Sequence, residues 1–293
     1  MVELDDEARL HARVWEPAAG GSGGGTRDWL LVHGLASNAQ LWDPLARRLA
    51  DAGHRVVAVD QRGHGLSDRV PFDYDPAASS ADLVAVAQTL GLDRPIAVGQ
   101  SWGGNVVLHL GATHPDAVRS VVGIDGGTID LAARFDTFEA CWEVLAPPRL
   151  AGTPLGTITG MLAERHPDWE PEALAGVLAN FARRPDGTVT PHLRRADHQR
   201  IVRQLYELPP TRLYPATRVP VLLLPVVSSI GGGERTVSSR RDVAAALAAL
   251  PHGRVVWMVD REHDVHAQAP DEVATVLLDA LADGFLDGDP PAG

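Results

Sequence analysis

Ile96-Ala97-Val98-Gly99-Gln100-Ser101-Trp102-Gly103-Gly104-Asn105 is the stretch whose reading decides the fold. Its opening apolar run is short enough to be a buried strand, and Val106-Val107-Leu108-His109-Leu110 continues it directly as a helix. Between them lies Gly99-x-Ser101-x-Gly103, so the serine sits on a sharp strand-to-helix bend. The flanking glycines remove Cβ atoms that such a bend would bring into collision. The bend also sets the Ser101 hydroxyl at a helix N-terminus, where unpaired amides and the helix dipole favour negative charge. That position suits an attacking oxygen. A Gly-x-Ser-x-Gly pattern alone is frequent by chance, so its surroundings carry the reading.

Outward from the bend, strand and helix patterns alternate. Upstream, Trp29-Leu30-Leu31-Val32 is a fully apolar strand that turns off at His33-Gly34-Leu35. Arg55–Asp60 is a second, and is followed by the Arg62-Gly63-His64-Gly65 loop. Arg9–Trp15 alternates polar and apolar residues, as an edge strand does. Leu41–Leu49 has helical spacing, and Asp82–Leu90 reads as a helix with Ser79 or Ser80 at its N-cap. The glycine run Gly20–Gly25 is a flexible turn, with no Lys-Ser/Thr after it to hold a phosphate. Downstream, Ser120-Val121-Val122-Gly123-Ile124-Asp125-Gly126-Gly127 reads as another buried strand and delivers Asp125 at its C-terminal end, the edge where parallel α/β sheets collect functional groups.

From residue 128 to 217 the strand rhythm stops, and prolines and helical segments such as Glu172–Leu178 replace it. Val219–Pro225 returns to strand, Asp242–Leu250 is a helix, Arg254–Val259 is the last strand, and His263 and His266 follow it. Pro270–Leu281 closes the chain as a helix, and Gly288–Gly293 reads as a frayed tail. Such alternation predicts an α/β fold with a mostly parallel central sheet flanked by helices.

From about Trp29 to Leu281 the sequence resembles the α/β-hydrolase family. The resemblance rests on the Ser101 bend, Val32-His33-Gly34-Leu35, Asp60–Ser67 and the late His263, in the family's order. It implies a core over residues 1–127 and 218–293 and a helical cap over 128–217 that roofs the pocket, with Trp142 and His266 as substrate-binding candidates. It implies an oxyanion hole from the amides of Leu35 and Trp102, a nucleophile at Ser101 and a base at His263. His33 is expected to brace its loop, and Asp60 and Arg62 to tie loops together. The acid departs from the family's commonest pattern, because Val226–Arg235 contains no aspartate and only a late glutamate. Asp125 matches a second acid position that some members use, and Glu234 remains the alternative.

Composition limits the rest. The chain of 293 residues is 45% hydrophobic, with a net charge of -12 and no clustered basic stripe, which argues against nucleic acid as a partner. One cysteine, Cys141, precludes an intrachain disulfide and reads as a buried thiol. No apolar run reaches the roughly 18 to 20 residues of a membrane span. The acidic start lacks a signal-peptide core, so a cytoplasmic protein, monomer or homodimer, is expected to act on a small molecule without cofactor or metal.

The expected activity is a serine hydrolase that cleaves an ester or lactone of a medium-sized lipophilic substrate through an acyl-enzyme. Haloalkane dehalogenases and epoxide hydrolases share the Trp102 position, but they need a carboxylate nucleophile where this chain has Ser101. A non-catalytic receptor on the same fold and a cofactorless oxygenase are the remaining alternatives.

Overall fold

The computed structural model describes residues 1–4, 6–18, 26–70, 74–229 and 233–288, except the side chains of Glu234 and Arg235. The expected glycine turn, at residues 20–25, lies outside the described residues, as does nearly all of the expected tail.

In chain order the central strands are β1 (Ala12–Trp15), β2 (Asp28–Val32), β3 (Arg55–Val59), β4 (Ile96–Gln100), β5 (Ser120–Ile124), β6 (Val221–Leu224) and β7 (Gly253–Val255). Among the described residues they form one seven-stranded sheet in the spatial order β7-β6-β5-β4-β2-β3-β1. Every pairing is parallel except that of β1 with β3. The register sets Val32 beside Gly99 and Gly99 beside Gly123. Three strands thus end together, and the turns holding Leu35, Ser101 and Asp125 emerge side by side.

Helices cover both faces of this sheet, which is why its strands read as continuous apolar runs. The helices are α1 (Asp43–Asp51), α2 (Pro76–Thr89), α3 (Trp102–Thr113), α4 (Phe138–Leu145), α5 (Leu155–Arg165), α6 (Pro171–Leu178), α7 (Arg195–Glu207), α8 (Glu234–Ala249) and α9 (Pro270–Ala282). On one face Leu30, Val32 and Ala97 pack with Leu83 of α2, Val106 of α3 and Val243 of α8. On the other, Leu31, Val98 and Ile124 pack with Leu45 of α1 and Leu277 of α9. Among the described residues no helix is long and apolar enough to cross a membrane.

Several element boundaries differ from those read in the sequence. Helix α2 starts at Pro76, and its N-cap is Asp75, which accepts a hydrogen bond from the Ala78 amide at 2.7 Å. An Asp-Pro pair combines a capping acceptor with a pre-set first helical φ, so it outcompetes Ser79 and Ser80. Ser80 instead lies inside the helix and hydrogen bonds His109 at 2.9 Å. The last strand splits: β7 pairs with β6, while Met258–Val259 pairs with Val226–Val227. Pro225 stands between the two halves on the neighbouring strand and has no amide hydrogen to continue the ladder. Arg9–Trp15 likewise breaks, with Arg9–Leu10 pairing to Val2–Glu3.

Between β5 and β6, residues 128–217 contribute α4 to α7 and a short hairpin of Phe181–Arg183 with Val189–Pro191. Helix α6 is docked closely on the core: a Cβ on Gly176 would lie 2.7 Å from the Leu41 Cα. Asn38 donates to the Gly176 carbonyl at 2.8 Å, and Arg48 pairs with Glu170 at 2.8 Å. Cys141 is free and fully buried on α4.

Candidate active site

Ser101 has φ 53° and ψ -121°, a conformation that costs a non-glycine residue on the order of 1–3 kcal/mol. The surrounding glycines explain how it is tolerated. A Cβ on Gly99 would fall 2.1 Å from the Gly103 carbonyl oxygen, and one on Gly126 would fall 2.2 Å from that of Ser101. The Ser101 amide donates to the Ile124 carbonyl at 2.9 Å, which anchors the bend to β5.

The turn after β2 presses against this bend. A Cβ on Gly34 would lie 2.3 Å from Gln100 Oε1 and 3.0 Å from the Ser101 Cβ. Among the described residues neither the Leu35 nor the Trp102 amide donates to a protein acceptor. For Trp102 the cause is its place in the first turn of α3, where amides have no intrahelical carbonyl.

Asp125 follows β5 with φ 41°, its amide donating to the Leu224 carbonyl at 2.9 Å. Its two carboxylate oxygens have separate partners. Oδ1 accepts from the Val226 amide at 3.1 Å, and Oδ2 lies 2.5 Å from Nδ1 of His263. The carboxylate is 12% exposed and the imidazole 41%, so the acid is held inside while the ring reaches the cavity. Ser101, Asp125, His263, Leu35 and Trp102 all line one cavity of about 450 Å³, with Leu205, His198 and Arg134 of the 128–217 segment on its other side. The structure therefore brings together five of the seven residues singled out in the sequence.

The other two stand elsewhere. His266, expected against substrate, is 1% exposed and packs on Trp42 with ring centroids 4.2 Å apart. Among the described residues neither of its nitrogens has a hydrogen-bond partner, and burial pushes its pKa down to about 3. The one-turn helix Val265–Gln268 rotates it away from the cavity that His263 faces. Trp142 does not line this cavity; it lies behind His198, with ring centroids 5.9 Å apart. The Glu234 side chain is outside the described residues.

The loop residues act as braces. His33 lies with Nδ1 2.7 Å from the Gly34 carbonyl, and its Nε2 accepts from the Gln61 amide at 3.0 Å. Burial lowers its pKa, which keeps the neutral ring that this donor and acceptor pairing requires. Asp60 accepts from the amides of Ala39 at 2.6 Å and Leu66 at 3.0 Å and meets His11 Nδ1 at 2.8 Å. Its burial opposes ionisation, yet these hydrogen bonds outweigh it and leave the pKa below the usual value. Arg62 binds Asp82 through two nitrogens, at 2.5 and 2.6 Å.

Two supports had no signal beyond being polar residues in apolar surroundings. Gln100 is 1% exposed, and its amide donates to the His263 carbonyl at 3.1 Å, fastening the histidine loop to the residue before the serine. Asn105 accepts from the Gly127 amide at 2.9 Å and donates to the Ile129 carbonyl at 2.9 Å, so α3 holds the loop that follows Asp125.

Comparison with known proteins agrees with this architecture. The sequence profile of the alpha/beta hydrolase fold matches residues 30–169. The 2-(acetamidomethylene)succinate hydrolase of Mesorhizobium japonicum is 32% identical over 266 residues, 88% of this chain and 87% of that one. The chain belongs to the α/β-hydrolase family. This α/β-hydrolase is also 36% identical to esterase YbfF of Escherichia coli over 105 residues, 36% of this chain and 41% of that one. Among solved structures, that of E-2-(acetamidomethylene)succinate hydrolase matches with a TM-score of 0.73 and 25% identity, covering 94% of this α/β-hydrolase and 96% of the other chain. These relatives are hydrolases, and hydrolysis is the reaction class of this member of the superfamily.

Proposed function

We propose that the chain hydrolyses a carboxylic ester or lactone of a medium-sized lipophilic substrate through an acyl-enzyme on Ser101. The observation that carries this reading is the 2.5 Å contact of His263 Nδ1 with Asp125, in the same cavity as a serine held on a strained bend. In the proposed cycle Asp125 keeps the Nδ1 proton in place, which leaves Nε2 basic and able to take the Ser101 hydroxyl proton. The serine oxygen adds to the carbonyl, and the Leu35 and Trp102 amides receive the oxyanion. His263 then protonates the leaving oxygen, and a water repeats the sequence to release the acid. Each oxyanion donor is worth about 3–4 kcal/mol of barrier. Residues 128–217 serve as the cap, presenting Leu205, Val202 and His198 to the substrate.

A second reading concerns the bond. The relative aligned over most of the chain is named for a substrate with an acetamido group, which favours an amide-type C–N bond as the competitor to an ester. A panel of aryl esters of graded acyl length, lactones and N-acyl enamines separates the two. Labelling of Ser101 by a fluorophosphonate tests the nucleophile itself. A protein that binds ligands, resists the probe and turns over none of the panel sinks the acyl-transfer reading and leaves the receptor.

A further inference from the structure

Across His198 from the Ser101 cavity lies a second one, of about 740 Å³, and His198 lines both. The chain carries a net charge of -12, yet this second cavity is lined by Arg149, Arg194 and Arg195 and, among the described residues, by no aspartate or glutamate. The three arginines are not equivalent. Arg194 is matched by Asp197 at 2.6 Å. Arg195 donates to the Pro147 carbonyl and lies 5.1 Å from the Trp142 ring centroid, and neither partner cancels its charge. Arg149 has no hydrogen bond or ion pair among the described residues.

The remaining wall is largely apolar, with Leu162, Val177 and Phe181 among its members. The histidines do not supply the positive charge: burial lowers all three that line the cavity, His198 to about 4, His64 to about 3 and His192 below its ordinary value. An apolar wall together with two exposed guanidinium groups that have no carboxylate partner among the described residues fits an apolar chain that carries a carboxylate, because guanidinium pairs carboxylate through charge-assisted, forked hydrogen bonds.

We propose that this second cavity is a substrate subsite for an apolar arm that ends in a carboxylate, bound at Arg149 and Arg195. The inference rests on the acyl-hydrolase reading and narrows its substrate class to acyl compounds that carry an anion remote from the scissile carbonyl. His198 then stands where the arm passes from one chamber to the other.

The test compares aryl esters of butyrate, hexanoate and octanoate with aryl half-esters of glutarate, adipate and suberate, and acetyl esters of ω-hydroxy acids with those of the matching alcohols. In at least one series the carboxylated member is expected to exceed its neutral partner tenfold or more in kcat/KM. The double variant Arg149→Gln/Arg195→Gln is expected to cut that ratio at least tenfold, mostly through KM, and Arg149→Lys/Arg195→Lys to restore part of it. A ratio of one or less in every series, or a ratio the glutamine variant does not change, overturns the proposal. Calorimetric titration of Ser101→Ala protein with suberate and with octanoate separates the two readings. Arginine-dependent preference for suberate with no turnover of any ester keeps the subsite and removes the acyl-transfer reading. Turnover of neutral esters without that preference does the reverse.

Discussion

Replacing Asp125 by asparagine changes one oxygen for an amide nitrogen and leaves the shape of the side chain intact. In the structure Oδ1 accepts from the Val226 amide at 3.1 Å and Oδ2 meets His263 Nδ1 at 2.5 Å. An asparagine has one acceptor oxygen, and Val226 offers only a donor, so the oxygen stays with Val226 and the NH₂ group turns to His263. The ring then has to accept at Nδ1 and carry its proton on Nε2, the tautomer that cannot take a proton from Ser101. Loss of the equivalent carboxylate in serine proteases costs about 10⁴ in kcat. With part of the cavity open to water, an expected loss of about 10³ to 10⁴ corresponds to roughly 4–5.5 kcal/mol of barrier. Because the Val226 bond survives, stability should fall by no more than about 1 kcal/mol. The assay pairs turnover of an aryl acetate and the rate of fluorophosphonate labelling with urea unfolding of the same preparation. A kcat loss below tenfold, or an equal loss in Glu234→Gln, would refute the reasoning and move the acid elsewhere.

Ser101→Gly should abolish turnover yet unfold at higher urea than Ser101→Ala, by about 1 kcal/mol, because only glycine relaxes at φ 53° and ψ -121°; an alanine variant at least as stable as the glycine one would contradict the strain. Gly126→Ala should destabilise by about 3 kcal/mol or more, since its Cβ would meet the Ser101 carbonyl at 2.2 Å, and a midpoint close to wild type in urea would show that the loop shifts freely. His64, His198 and His266 have folded-state pKa values of about 3, 4 and 3, all below the ordinary 6.5, so the unfolded chain takes up protons that the folded one refuses. Their contribution is complete above pH 6.5 and is lost as pH falls toward 4 for His198 and toward 3 for His64 and His266, by up to about 1.4 kcal/mol per unit for each group. His266→Phe should flatten the stability profile over that window and raise stability at pH 7 by about 1 kcal/mol, since it removes two unpartnered buried nitrogens. An unchanged slope between pH 6.5 and 5 would show that His266 does not carry this term.

What the sequence determined by itself is local. The Ser101 bend, the apolar strands and the helices that follow them are legible because each depends on a few consecutive residues: glycines where a Cβ has no room, and periodicities that must match a strand or a helix. The turns carrying Leu35, Ser101 and Asp125 follow from the same patterns, since each comes directly after an apolar strand. Element ends were less legible, because several acceptors compete for one cap and Asp75-Pro76 wins by geometry that only the folded loop supplies.

Tertiary structure decided what depends on residues far apart in the chain. Asp125 and His263 are 138 positions apart, and the parallel register of β4, β5 and β6 brings the carboxylate, rather than any nearer acid, to within 2.5 Å of the ring. The same holds for His266 and Trp142, whose side-chain directions are set by a one-turn helix and by packing behind His198. It holds too for the arginine-lined chamber, whose walls come from the loops after β2 and β3 and from the segment between β5 and β6, and whose arginines come from two stretches of that segment more than 40 positions apart. Convergence is a property of the fold, and no short stretch of residues contains it.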